Sequence, residues 1–359
     1  MVIPTLDNGG AEKQLCLLVA GLPKAEFDVH VVVLTRMGPR DSELRAANIP
    51  VHFIGKSHKF DPSSMVRLVR TIRRLRPDVV HSWIFAANCY ARVAAKYLSV
   101  PRIVAGERCV DLWKTGRHLA IDRMLAKFTD AIITNSSGVV DFYSRRGVPE
   151  RLFHVIPNGI AARNAPTISA EDAFQRFGLG QDRIVIGAVG RLWPQKRYRD
   201  LICAADVLGV VQPKITLVVI GDGPQGDELL RYRDQVTDPD WVKFLGNRSD
   251  VAELLPHFSL FWLGSEYEGQ SNSMLEAMQV GLPIVATDIP GNRDLIVSNK
   301  SGILVPVGDS AAMAKQSHYL LQHVEISSSF GEAAKRRVTE SFSVEQMVSR
   351  HAELYRKLL

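Results

Sequence analysis

Apolar residues fall along this chain in two alternating rhythms. Short runs rich in Val, Ile and Leu predict strands at residues 2–5, 29–34, 51–54, 79–81, 103–105, 131–134 and 154–156. Segments with helical periodicity lie between them, at 10–22, 62–75, 85–98 and 137–146. The scheme then repeats. Strands are predicted at 183–189, 216–220, 242–245, 260–263, 283–286 and 303–305, and helices at 200–210, 226–235, 273–280 and 310–321. β-branched runs separated by helices indicate parallel sheets buried on both faces. The fold expected is α/β, with two Rossmann-like domains in succession. The segment 157–180, rich in Pro, Asn, Gly, Ala and Ser, is placed as the linker, which gives domains 1–165 and 166–340. Two last helices, 332–340 and 344–358, have no strand after them, and residues 341–359 are expected to cross back to the first domain.

Size and composition agree with this division. A chain of 359 residues, 46% hydrophobic and 23% charged, is globular and too long for one core, which stops growing near roughly 250–300 residues. No window approaches the roughly 18 apolar residues of a membrane span. Residues 1–7 have neither the basic stretch nor the apolar core of a secretory signal. Cys16, Cys89, Cys109 and Cys203 lie far apart in no metal-ligand spacing, which suits isolated thiols in a reducing cytoplasm. Charge adds an asymmetry. Residues 1–165 hold 24 Lys and Arg against 14 Asp and Glu (+10), whereas residues 166–359 hold 20 against 24 (−4). No basic tail or aromatic-basic interleaving of the RNA-recognition kind is present, which argues against nucleic acid. An anionic substrate or an anionic membrane surface fits better.

Ligands of open parallel sheets bind beyond the carboxyl ends of the strands, and the strand-end loops hold the informative residues. Gly9 and Gly10 open the first helix, where backbone can approach a phosphate and the helix N-terminus offers N–H groups. A plain strand-to-helix turn would look the same. Arg191 and Lys196 follow the strand at 183–189 and could neutralise a diphosphate, one as a fork and one as a point charge. Gly221 and Gly223, with Pro224, read first as a tight turn, one that would also let a flat base lie on backbone. The segment 265–278 carries Glu268 in a glycine-containing loop and Glu276 at the start of a helix. A loop carboxylate can accept from sugar hydroxyls, a first-turn carboxylate from both ribose hydroxyls, and the amides around Ser271, Asn272 and Ser273 can hold a phosphate. Ser273 and Glu276 also have capping-box spacing, so Glu276 equally suits a helix end. As a glycosidase acid/base pair the two glutamates are a poor match. Eight helical steps span roughly 12 Å, beyond the roughly 5–9.5 Å such pairs need.

In order and spacing these segments resemble glycosyltransferase family 4, the retaining enzymes of the GT-B fold. The specific part lies in the second half: Gly190-Arg191-Leu192 with Lys196, Gly221-Asp222-Gly223-Pro224, Glu268 with Glu276, and Gly281-Leu282-Pro283 leading to Asp288 and Gly291. Gly9-Gly10-Ala11-Glu12 and Pro157-Asn158-Gly159 support it. The resemblance implies two domains facing across a cleft, acceptor on the N-terminal side and nucleotide-sugar on the C-terminal side. It implies transfer of a hexosyl-type sugar to a saccharide or lipid-linked acceptor, in polysaccharide or glycolipid synthesis. Arg191, Lys196 and Glu268 would carry catalysis. Gly9, Gly10, Gly221, Gly223, Gly269, Gln270, Ser271, Asn272, Ser273 and Glu276 would bind substrate, and Asn247 and Arg248 the base. No cofactor or metal is expected, because cations take the metal's place at the diphosphate.

Two departures matter. Many relatives carry a histidine after the strand that here reads Ile103-Val104-Ala105, whereas this chain continues Gly106-Glu107-Arg108. Glu107 and Arg108 are therefore acceptor-side candidates beside His81, which ends its predicted strand. The missing histidine also leaves open a degenerate protein that binds nucleotide-sugar without turnover. Arg197 stands where a glycine is common in the family. On the basic half, Arg67, Arg70, Arg73, Arg74 and Arg76 flank an apolar helical stripe, and Trp113, Lys114, Arg117 and His118 make a second basic-aromatic patch. Both suit a peripheral protein on the cytoplasmic face of a membrane, and both also suit an ordinary helix with a solvated basic face.

Overall fold

The computed structural model describes residues 1–58, 61–163 and 167–359. They form two compact units, Met1–Ala161 with Phe342–Leu359, and Ala162–Ser341.

The first unit is built on β1 (Val2–Thr5), β2 (Val31–Arg36), β3 (Val51–Phe53), β4 (Val79–Trp83), β5 (Arg102–Glu107), β6 (Ala131–Thr134) and β7 (Phe153–Val155). These pair in parallel in the order β3-β2-β1-β4-β5-β6-β7. Its helices are α1 (Gly10–Gly21), α2 (Asp41–Ala46), α3 (Pro62–Leu75), α4 (Ile84–Tyr97), α5 (Gly116–Ala126) and α6 (Ser137–Ser144). Successive strand residues point to opposite faces of a sheet. Ile3, Val31 and Val33 accordingly pack with α1, and Val2, Val32 and Leu34 with α3 and α4. Helix α3 shows why its bounds are readable. Asp61 caps it by accepting from the Ser64 N–H at 3.0 Å, Pro62 fills the first position, and Arg76 stops it in a left-handed conformation at φ 46°.

The second unit contains α7 (Ala170–Phe177), β8 (Ile184–Val189), α8 (Tyr198–Val211), β9 (Ile215–Ile220), α9 (Gly226–Val236), β10 (Val242–Phe244), α10 (Val251–Leu254), β11 (Leu260–Leu263), α11 (Asn272–Gln279), β12 (Ile284–Thr287), α12 (Pro290–Arg293), β13 (Ile303–Val305), α13 (Ser310–Gln322) and α14 (Val324–Ser341). Its sheet is also parallel, in the order β10-β9-β8-β11-β12-β13. The last helix, α15 (Val344–Leu358), packs in the first unit through Met347, Val348, Ala352 and Tyr355. Gly159 lets the chain pass there, since a Cβ on it would lie 2.8 Å from Val344 Cα. Among the described residues no helix is long and apolar enough to cross a membrane.

Three expectations change. The segment 157–180 is not all linker: its second half forms α7, capped by a reciprocal Ser169–Asp172 box, and residues 164–166 lie outside the described residues. Strand β4 runs on to Trp83 and β5 to Glu107, so His81 is inside a strand and Glu107 ends one. Helix α11 begins at Asn272 with Ser271 as its cap, accepting from the Met274 N–H at 3.3 Å, so Ser273 and Glu276 form no capping box.

Candidate functional site

In the second unit β8 and β11 are neighbours, with β9 on one side and β12 on the other. That is where the strand order reverses, and in open parallel sheets the loops leaving such a point form the ligand crevice. The loop after β8 carries residues 190–197 and the loop after β11 carries residues 264–271. They meet in an ion pair: Lys196 Nζ donates to Glu268 Oε1. Ser265 Oγ donates to the same oxygen at 2.8 Å. Both partners are largely buried, at 13% and 10% side-chain exposure. Arg191 is exposed, its guanidinium 5.3 Å from the Trp193 ring.

Close backbone packing fixes the loop carrying Lys196. Gly221, at φ 143°, lies so near that a Cβ would fall 2.0 Å from Gly190 O, and one on Gly223 would fall 2.6 Å from Leu192 O. Leu192 N donates to Asp222 O at 2.9 Å. The 190–192 backbone therefore occupies the side of each glycine where a Cβ would lie, so this turn leaves no room there for a side chain. Arg197, where relatives often have glycine, adopts φ 52°. Its guanidinium turns to Asp200 and lies 3.7 Å from Glu266.

The Glu268 loop is braced from behind. Thr287 Oγ1 donates to Ser265 O at 2.5 Å, and Asn292 Nδ2 donates to Thr287 O at 2.8 Å. A Cβ on Gly291 would lie 2.0 Å from Gly269 O. Nothing in the sequence marks Thr287 and Asn292 as parts of the site, whereas Ser265 opens the segment that carries Glu268 and Glu276. Gln270 and Ser271 are buried, and Asn272, Ser273 and Glu276 are partly so. The charges of Glu253 and Glu276 act on Arg163, whose burial nonetheless lowers its pKa. Arg248 forms a two-pronged pair with Asp250 at 2.8 and 2.7 Å, while Asn247 is exposed in the loop after β10.

In the first unit, Gly9 caps α1 and Gly10 starts it. A Cβ on Gly9 would meet Glu12 Oε2 at 2.0 Å, and Thr5 Oγ1 donates to Glu12 Oε1 at 3.1 Å, so the helix supplies its own carboxylate there. The acceptor-side candidates prove to be interior residues. His81 is 1% exposed, with Nδ1 2.7 Å from Tyr355 Oη, and burial holds its pKa well below the usual value. Arg108 is buried over the Trp83 ring at 4.8 Å and donates to Asn158 Oδ1, its pKa lowered to about 10 by burial. Glu107 accepts from Asn88 Nδ2 at 2.9 Å and Tyr143 Oη at 3.0 Å. Lys114, read as part of a surface patch, is fully buried, 2.9 Å from Asp122 and 3.4 Å from Glu107 and Asp111. Lys114, Glu107, Asp122 and Tyr143 satisfy one another inside the domain, which offsets the cost of burying their charges.

Two parallel-sheet halves with this strand order are the GT-B architecture of glycosyltransferases. The fold is shared with crystal structures of Anabaena HepE in complex with UDP-glucose, at TM-score 0.86, 22% identity and 99% coverage of both chains. The family model for glycosyl transferases group 1 matches residues 169–337, and that for Glycosyltransferase Family 4 matches residues 8–163. N-acetyl-α-D-glucosaminyl L-malate synthase of Bacillus anthracis is 32% identical over 306 residues, covering 84% of this chain and 80% of that protein. UDP-Gal:α-D-GlcNAc-diphosphoundecaprenol α-1,3-galactosyltransferase of Escherichia coli is 27% identical over 305 residues, covering 80% and 78%. The chain belongs to glycosyltransferase family 4 and is a glycosyltransferase.

Proposed function

We propose that the protein transfers a hexosyl-type sugar, with retention and without a metal, from a nucleotide-sugar to a saccharide or lipid-linked acceptor in polysaccharide or glycolipid synthesis. The supporting observation is the Lys196–Glu268 pair at the strand-order reversal. In this reading Lys196, helped by Arg191, meets the charge that grows on the departing diphosphate, the kind of group whose removal costs about 10²–10³ in rate. Glu268 accepts a hydroxyl of the transferred sugar. The amides opening α11 take a phosphate, and Glu276, which the observed cap leaves out of a capping box, takes the ribose. The name of the Anabaena complex, with UDP-glucose, and that of the Escherichia coli relative, a UDP-Gal enzyme, favour a UDP-hexose. Thermal shift with UDP- and GDP-sugars, followed by transfer with and without EDTA and NMR of the product anomer, tests the reading. An inverted anomer, or activity lost to EDTA and restored by a divalent cation, removes the corresponding part.

The same reading places the protein on the cytoplasmic face of an anionic membrane, through the layer α3–α4–α5. These three helices contain one acidic residue, Asp122, which is buried against Lys114. Their exposed residues include Arg70, Arg73, Arg74, Lys96, Arg123 and Met124. Cations without competing carboxylates, interleaved with apolar side chains, suit anionic lipid. Sedimentation with neutral and with anionic liposomes checks this, and equal binding to both removes it.

A further inference from the structure

The loop 108–115 between β5 and α5 joins an exposed ring to a buried charge. Trp113 is 54% exposed, yet its ring is fixed. Its Nε1 donates to Asp111 Oδ1 at 3.1 Å, and the ring meets Phe85 and His118 edge-on at 5.5 and 5.3 Å between centroids. His118 is itself held by the Thr115 N–H at 3.1 Å. Directly beneath, the buried Lys114 ammonium donates to Tyr143 Oη at 2.6 Å and Asp122 Oδ2 at 2.9 Å, and lies 4.6 Å from the Phe85 ring. A buried ion network is an expensive way to order a surface loop. Here it holds a flat apolar face in water, at the carboxyl end of a parallel strand, where such folds bind ligands.

The rim of that face is a carboxyl group. Asp111 Oδ2 lies 2.8 Å from Tyr143 Oη, and the side chain keeps 18% exposure. An ionised carboxylate has about four lone-pair sites, so Asp111 can accept further hydrogen bonds from the solvent side. A flat apolar surface edged by an acceptor matches a pyranose, which has a C–H face and a rim of hydroxyl donors. It matches an anionic headgroup poorly, since the carboxylate repels it. We propose that Trp113 and Asp111 form the acceptor subsite: a sugar ring of the acceptor stacks on the indole and donates a hydroxyl hydrogen bond to Asp111. This rests on the transferase reading and narrows it, since the acceptor must then present a sugar ring to the enzyme.

The chain has five tryptophans, so 5-fluorotryptophan labelling gives a resolvable 19F spectrum, with Trp113 assigned by its loss in Trp113→Phe. The probes are methyl glycosides of glucose, galactose, mannose, N-acetylglucosamine and N-acetylgalactosamine. At least one is expected to move the Trp113 resonance saturably. Asp111→Asn, which keeps an acceptor for the indole N–H, should weaken that response about tenfold, equal to the loss of one hydrogen bond to a charged group. Trp113→Ala should abolish binding of the same glycoside by calorimetry with an unchanged melting temperature. If no glycoside moves the resonance, or phosphatidylglycerol vesicles move it and glycosides do not, the proposal is overturned. Stabilisation by UDP-sugars, measured on the same variants, reports separately on the donor reading.

Discussion

Lys196 and Glu268 are 72 residues apart and share a hydrogen bond, with Ser265 completing the contact from the Glu268 side. Removing either partner therefore does two things: it deletes a group proposed to meet the donor and leaves the other charge unpaired in a largely buried place. Lys196→Ala and Glu268→Gln should each lower kcat/KM by about 10²–10³. The double variant should be little worse than the poorer single one, because groups acting as a unit are not additive. Steady-state kinetics with the donor found by thermal shift checks this, and strict additivity would separate the two roles.

Arg197 offers a test of backbone strain. At φ 52° a Cβ is disfavoured, and only glycine adopts this region freely. Arg197→Gly and Arg197→Ala lose the same Asp200 pair, so comparing them cancels it. The glycine variant should be more stable by about 1 kcal/mol, read from urea denaturation midpoints.

The buried histidines predict a loss of stability in acid. Burial lowers the pKa of His81 well below the ordinary 6.5 and that of His351 to about 3. Their Nδ1 atoms face Tyr355 Oη and Met347 O; His351, the amino terminus and Arg108 are the nearby charges that further disfavour protonation of His81, and Arg108 that of His351. The folded state thus binds fewer protons than the unfolded chain. The stability these groups contribute is complete above about pH 6.5 and is lost progressively as pH falls toward 3. Melting temperatures from pH 7 to pH 4 should decline, and less steeply in His351→Gln. Parallel profiles would show that His351 does not contribute to the decline.

Lys114 should be costly to remove. Without its ammonium, Glu107, Asp111 and Asp122 would face one another with Arg92, 3.3 Å from Asp122, as the remaining paired cation. Lys114→Met should destabilise the first unit by roughly 3–5 kcal/mol. Adding Asp122→Asn should recover part of that, because it removes one of the stranded charges. Chemical denaturation followed by tryptophan fluorescence measures both.

The regular elements were legible because burial on both faces of a parallel sheet leaves apolar runs that end near the hydrogen-bonded ladder. They failed where polar residues continue the ladder, as at His81-Ser82-Trp83, where residues of other elements supply partners: Ser82 Oγ donates to Asn88 Oδ1 at 2.7 Å and His81 Nδ1 lies 2.7 Å from Tyr355 Oη. Helix α7 was hidden because its apolar content is confined to one narrow stripe, Ala173 and Phe177. At the site, the residue types in the strand-end loops could be read one loop at a time. Their pairing could not, because Lys196 meets Glu268 only once β8 lies beside β11. Lys114 was misread for the same reason: nothing near it in the chain announces that Asp122 and Tyr143 will close over it.

The unit that begins the chain also contains residues 342–359. On the ribosome, the stretch 162–341 is therefore complete while its predecessor still lacks α15. Until those residues emerge, His81 has no Tyr355 hydroxyl to bond and the apolar side of α1 has no α15 to cover it. Of the two units, the one whose synthesis starts earlier is finished later, and a nascent chain stalled anywhere in α14 would expose greasy surface on that earlier unit, not at its growing end.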